Sequence, residues 1–144
     1  DLLLALPSSG VHSNGLTLAR KVLHSPADRL ALLEPTRIYQ REMKMLLATG
    51  YVLGAAHITG GGLEGNIQRA LPSGLRPQLN DDWPIPPVFG RIEERGVSRK
   101  EMRQVFNMGL GMVLVVHERH RDAVMRSMAS AGVSLLEVGR VSRA

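Results

Sequence analysis

A histidine, a threonine and three consecutive glycines fall together in His57-Ile58-Thr59-Gly60-Gly61-Gly62, with Gly65 and Asn66 close behind. The apolar run from Tyr51 to Ile58 reads as a buried strand, and a helical pattern opens near Asn66. A strand that breaks into a glycine turn ahead of a helix brings bare backbone N–H groups to the positive end of the helix dipole. An anionic group, above all a phosphate, is stabilised there. Glycine permits backbone angles and a close ligand approach that a Cβ would block. An ordinary tight strand-to-helix turn has the same composition, so the residues alone leave both readings open.

The same device occurs earlier. Leu2 to Leu6 form a short apolar run ended by Pro7-Ser8-Ser9-Gly10, and Val11-His12-Ser13-Asn14-Gly15 follows, dense in hydroxyls and amides. Leu16, Ala19, Val22 and Leu23 then recur at helical spacing. His12 suits a general base or a hydrogen-bond donor to a substrate; the plainer reading is that Ser13 or Asn14 caps the helix.

Other motifs fail on context. Gly60-x-Gly62-x-x-Gly65 matches the dinucleotide-binding fingerprint in form, with Asp82 further on, but Pro72 cuts the helix short where that fold needs a long crossover. There is no Gly-x-x-x-x-Gly-Lys-Ser/Thr loop and no Gly-x-Ser-x-Gly elbow. The 5 histidines, His12, His24, His57, His117 and His120, show no zinc spacing, and no metal site is expected. Asp81 and Asp82 suit a turn better than a metal.

Strands are expected at 2–6, 51–58, 75–79, 112–116 and 133–138. Residues 25–35 read as a connection whose Leu30, Leu32 and Leu33 pack on the core. A helix is expected from Thr36 to Thr49, with Gly50 as its left-handed stop and Ile38, Met43, Leu46 and Leu47 on its buried side. Arg37, Arg41 and Lys44 read as its solvated face. Pro87 opens a helix to Gly96, Ser98-Arg99-Lys100-Glu101 is a capping box, and a last helix covers 119–131 with Gly132 as its stop. Trp83 reads as a packing anchor. The two glycines before the strand at Met112 signal a bulge or a close backbone approach. The order is α/β (α+β), with about five strands and five or six helices.

The chain has 144 residues, enough for one domain with a core, and at 44% hydrophobic but 3% aromatic that core must be aliphatic. It lacks cysteine, which excludes disulfides, thiolate metal sites and cysteine nucleophiles, and fits a cytoplasmic protein. A net charge of +5 comes without a run of four basic residues and with few aromatics for base stacking; a basic surface serving a small phosphorylated substrate is equally consistent with it, and no nucleic-acid partner is expected. No apolar run approaches the ~20 residues of a membrane span. The chain opens on Asp1-Leu2-Leu3-Leu4, without Met and already inside a strand-like run, and so reads as part of something longer.

Five separated stretches together resemble one family. Pro7 to Gly15 is similar to the SSG-x-HSNG loop of phosphoribosylformylglycinamidine cyclo-ligases (AIR synthetases), Leu33 to Tyr39 to their L-x-PTRIY segment, and His57 to Leu63 to their HITGGG segment. Trp83 to Phe89 and Phe106 to Met112 match two further stretches in the right order. One departure is Glu64-Gly65-Asn66, where many members carry Glu directly before the Asn, so no role is carried over to Glu64. The resemblance implies that residues 1–144 are the family's C-terminal domain, with a mixed β-sheet covered by helices and a partly ferredoxin-like topology. It implies an N-terminal half that binds ATP and Mg²⁺, a homodimer of the full-length chain, and an active-site cleft between the halves. The implied reaction is ATP-dependent ring closure of formylglycinamidine ribonucleotide to 5-aminoimidazole ribonucleotide. On that resemblance Gly60, Gly61 and Gly62, with Ser8, Ser9 and Ser13, clamp the ribose phosphate, and Thr59 is a further substrate-binding residue. His12 and His57 transfer protons or orient the amidine and formyl groups, while Asn14, Asn66 and Asn107 position the substrate. Kinases for thiamine monophosphate, selenophosphate synthetases and formylglycinamidine synthetases share the superfamily fold and stand as alternatives, as does a non-catalytic module binding phosphorylated ligands.

Overall fold

The computed structural model describes residues 1–144. Five strands and seven α-helices follow one another as β1 (Leu2–Pro7), α1 (Leu16–Val22), α2 (Pro26–Ala31), α3 (Gln40–Ala48), β2 (Val52–His57), α4 (Gly62–Arg69), β3 (Leu75–Leu79), α5 (Pro87–Glu94), α6 (Arg99–Val105), β4 (Leu110–Val116), α7 (Arg121–Ser130) and β5 (Leu136–Arg143). The sheet order is β2-β4-β1-β5-β3. Every neighbouring pair is antiparallel.

The α+β class is as expected, but the sheet is antiparallel where a mixed one was expected. The reason lies in the connections. Strands β1 and β2 run the same way and are joined through helices, yet β4 inserts between them and pairs with both. This is a split βαβ arrangement: β2-β4-β1-β5 has the ferredoxin-like order, and β3 adds an edge beside β5.

Side chains alternate faces along β1, and helices cover both faces. Leu3 and Ala5 join Val113, Val115, Leu63 and Ile67 of α4, Phe89 and Ile92 of α5, and Met102 of α6 in one core layer. Leu4 and Leu6 join Met112, Leu114 and Val116, Leu46 of α3, and Val124 and Met128 of α7 in the other. Burial on both faces explains why β1 and β4 read as unbroken apolar runs. Strand β2 carries an apolar run too, but it lies at the sheet edge, and Leu53 is 56% exposed.

The punctuation residues behave as their chemistry dictates. Ser98 accepts the Glu101 N–H at the head of α6, Pro87 opens α5, and Gly50 and Gly132 stand at φ 72° beyond α3 and α7. Several expectations fail locally. Residues 26–31 form a helix, capped by the Ser25 hydroxyl, rather than a plain connection. Of its neighbouring leucines only Leu32 is buried, and Leu30 and Leu33 face solvent. Helix α3 starts at Gln40 rather than Thr36, which leaves Ile38 exposed, and Leu47 is exposed as well. Helix α4 starts at Gly62, a turn before Asn66, and β5 runs on to Arg143.

Two glycines of α4 make opposite demands. A Cβ on Gly62, at φ 68°, would lie 2.0 Å from the Arg103 carbonyl oxygen of α6, whereas a Cβ on Gly65 would meet nothing within 4 Å. Gly62→Ala should therefore destabilise the domain by on the order of 3 kcal/mol, from backbone strain and forced separation of α4 and α6. Gly65→Ala should stabilise it by about 0.5–1 kcal/mol through helix propensity. Urea denaturation of both variants checks the contrast.

Candidate functional site

Because β4 is antiparallel to both β1 and β2, its N-terminal end lies beside their C-terminal ends. The register pairs Pro7 with Leu110 and His57 with Met112. The loops after Pro7, after His57 and before Leu110 therefore emerge at the same end of the sheet. The topology alone collects the Ser8–Gly15, Ile58–Gly62 and Asn107–Gly109 segments that the sequence scatters.

Buried amides and carbonyls then lock these loops. Asn107 is fully buried: its Nδ2 donates to the Gly10 carbonyl at 2.9 Å, and its Oδ1 accepts from the Gly109 N–H at 2.9 Å and the Ser8 hydroxyl at 3.0 Å. The Ser8 N–H donates to the Gly109 carbonyl at 2.7 Å. From the far side the Trp83 indole N–H donates to the Met108 carbonyl at 2.9 Å, so Trp83 is the anchor its sequence context suggests.

The segment before α3 crosses beneath the first loop. Tyr39 Oη and Arg37 Nη1 both donate to the Pro7 carbonyl, at 2.9 and 3.1 Å. Only glycine at 111 leaves room for that phenol, since a Cβ there would sit 1.7 Å from Tyr39 Oη. This is the close approach that a glycine at the head of β4 signals. Arg37, expected on a solvated face, instead pairs with Glu42 at 2.8 Å and covers the Tyr39 ring, 5.3 Å from its centroid. Burial pushes the Tyr39 hydroxyl up to about 12, against the pull of Arg37 and with a smaller push from Glu42, so the phenol stays protonated. The Arg37 hydrogen bond holds the Glu42 carboxyl below its ordinary value.

The Tyr39 ring lies between the two histidines, with its centroid 6.1 Å from that of His12 and 6.1 Å from that of His57. His12 is 4% exposed and sits at φ 54°, unusual for a residue with a Cβ. Its Nε2 accepts the Ser9 N–H at 3.2 Å. Burial, then the nearby charges of His57 and Arg37, lower its pKa, so it is held neutral.

The glycine loop is organised by Asn66, which lies inside α4. Its Nδ2 donates to the carbonyls of Gly62, Thr59 and Gly60 at 2.7, 3.0 and 3.3 Å. Its Oδ1 accepts from Arg69 at 3.1 Å. With those carbonyls gathered on one amide, the N–H groups of Gly60 and Gly61 have no acceptor in the chain, and both residues are exposed. That is the donor set an anion would use.

Structure and expectation therefore divide. The Gly60–Gly61 amides, Ser13 and His57 lie open at the loop end and Asn14 is half-buried there; Ser13 contacts the Thr36 hydroxyl at 3.4 Å, and neither Asn14 nor His57 makes a side-chain hydrogen bond. Ser9 donates its hydroxyl to the Pro35 carbonyl at 2.6 Å, and Ser8, Asn66 and Asn107 hold the loops from inside. Thr59 leans on Asn66 at 3.4 Å. Missed from sequence were Tyr39, Arg37, Arg69 and Arg103. The last ties α4 to the loop after β3 by pairing with Glu64 at 2.9 Å and with Asp81, so Asp81 serves a turn and an ion pair. No three His, Asp or Glu side chains converge as a metal-holding group.

Fold and loops define a split βαβ domain with an anion-suited glycine loop beside a histidine pair. The chain belongs to the family described as AIR synthase related protein, C-terminal domain, whose model matches residues 1–144. It is 46% identical over 157 residues to a Myxococcus xanthus protein named phosphoribosylformylglycinamidine cyclo-ligase, covering 98% of this chain and 46% of that protein. A Bacillus subtilis protein of the same name is 42% identical over 158 residues, covering 99% of this chain and 46% of that one. One from Burkholderia lata is 41% identical over 154 residues, covering 98% and 44%. The chain thus spans somewhat under half the length of these relatives.

The neutral His12 makes stability depend on pH. Below about 6.5 the unfolded chain binds a proton that folded His12 refuses until its lowered pKa is reached, so stability falls as pH falls through that window. His12→Asn, which tolerates the positive φ, should flatten this part of the curve relative to the parent. Urea midpoints between pH 5 and pH 8 measure the difference.

Proposed function

We propose that this chain is the C-terminal domain of an ATP-dependent ligase that closes formylglycinamidine ribonucleotide to 5-aminoimidazole ribonucleotide, with release of ADP and phosphate. The observation that carries the reading is the convergence of the Gly60–Gly61 amides, His57 and the Ser8–Asn14 loop at one end of the sheet in a member of this family. The relatives named above carry the same activity in their names.

The chemistry asks for what these loops offer. The formyl oxygen is a poor leaving group, and ATP activates it by phosphorylation. A nitrogen at the other end of the same molecule then attacks the activated carbon. Catalysis consists largely of holding the two ends together and neutralising phosphate charge. In this reading Gly60 and Gly61 bind the ribose phosphate through backbone N–H groups, and Ser13 and Asn14 meet the substrate from the facing loop. Ser8, Ser9, Thr59, Gly62, Asn66 and Asn107 keep both loops in shape, and the His12–His57 pair is the part of the site set aside for the reacting groups, one imidazole to meet them and one to hold the loop. ATP and Mg²⁺ are assigned mainly to the N-terminal half that the family resemblance implies. In the same reading, taken from the family resemblance, the full-length protein is a cytoplasmic homodimer with its cleft between the halves.

The test is the full-length protein with formylglycinamidine ribonucleotide, ATP and Mg²⁺, followed for aminoimidazole ribonucleotide and ADP together. Equal appearance of both is expected, and Gly61→Val should raise KM by at least tenfold by blocking the phosphate. ADP without the imidazole would point to a kinase-like relative, and no turnover from a folded, ATP-binding protein would favour the binding module. The 144-residue domain alone should show no turnover.

A further inference from the structure

We propose that the two imidazoles divide the work: His57 meets the substrate and exchanges a proton with it, and His12 is a positioning residue that does neither. The inference rests on the cyclo-ligase reading of the site and assigns roles within it.

The two rings flank Tyr39 at the same 6.1 Å, yet their surroundings differ in kind. On His12 the Nε2 atom is taken. A backbone N–H can only donate, so the Ser9 contact makes Nε2 the acceptor and places the proton of the neutral ring on Nδ1. Nδ1 is itself sealed from solvent and has no partner. A base must offer a free lone pair to an incoming proton, and His12 has none to offer. What it does is close the Ser9–His12 turn and support Tyr39, at the expense of a left-handed backbone.

On His57 both ring nitrogens are free of protein partners and the residue is exposed. Its backbone is fixed all the same. His57 pairs with Met112 in the β2–β4 ladder, and the next N–H, of Ile58, donates to the Gly111 carbonyl at 2.9 Å. A free imidazole on a fixed strand end, three residues before Gly60, suits proton exchange with a ligand held by the glycine loop. The titratable and charged groups around it are His12 and Tyr39, with Arg37 and Glu42 behind them. As the attacking nitrogen bonds to the activated carbon it sheds a proton. A His57 ring nitrogen accepts that proton, and phosphate departs with the electron pair of the C–O bond.

Diethyl pyrocarbonate footprinting of the 144-residue chain, mapped by peptide mass spectrometry, tests the division without reference to turnover. His57 should be carbethoxylated at a rate like that of exposed His24, and His12 at least tenfold more slowly. Equal rates at His12 and His57 would overturn the proposal. In the full-length protein, His57→Gln should lower kcat by roughly 10²–10⁴-fold and erase the basic-group limb of the pH–rate profile. His12→Asn should lower the plateau and keep that limb. The limb vanishing with His12→Asn and surviving in His57→Gln would equally overturn it. If the unmodified full-length protein makes no aminoimidazole product, the cyclo-ligase reading fails, and the footprint still decides which histidine faces outward.

Discussion

The Pro7 carbonyl, where β1 gives way to the serine loop, accepts hydrogen bonds from both Tyr39 and Arg37. Everything at this end of the sheet depends on that junction. The phenol reaches it only because residue 111 has no side chain, and the ring it carries sets the distance to both histidines. The guanidinium is held over the ring by Glu42 of α3. A single carbonyl thus relates a strand end, a helix start and two imidazoles, and a shift at any of them is felt by the others.

Asparagine carries much of the rest. Asn107 and Asn66 are both buried, and each satisfies several main-chain groups of loops that have no ladder of their own. An amide does this well because it donates and accepts at once and brings no charge to desolvate. The site therefore has an inner layer of neutral amides that shape the loops. Its outer face offers open N–H groups and one free imidazole. Charged pairs such as Arg103 with Glu64 lie further out, where solvent screens them.

Much of this was legible from the sequence, and the failures have physical causes. Strands β1 and β4 were readable because they are buried on both faces and so are apolar throughout. Strand β2 looked the same on paper, but edge position is set by topology, which periodicity does not encode. The sequence pattern places the start of α4 too late because the Asn66 amide folds back onto the turn before it, a local side-chain-to-backbone contact that hydrophobic periodicity does not register. The glycine loop and the two histidines were found by type and spacing. That His12 is enclosed and His57 open depends on what Tyr39 and Ser9 do in space. Arg37 reads as solvated because a basic residue among polar ones usually is; its partners, Pro7 and Glu42, meet it only after folding.

The sheet is built from its ends inward along the chain. Leu2 pairs with Val116 on one side and with Arg140 on the other, so the central strand finds both neighbours only across very long separations. Loop closure on that scale must precede any reward from β1, which makes folding slow and cooperative rather than progressive. On a ribosome the β1 segment would emerge early and wait, apolar along its whole length, while nearly all of the domain is made. The interval before β4 and β5 arrive is when this chain most needs protection from its own neighbours.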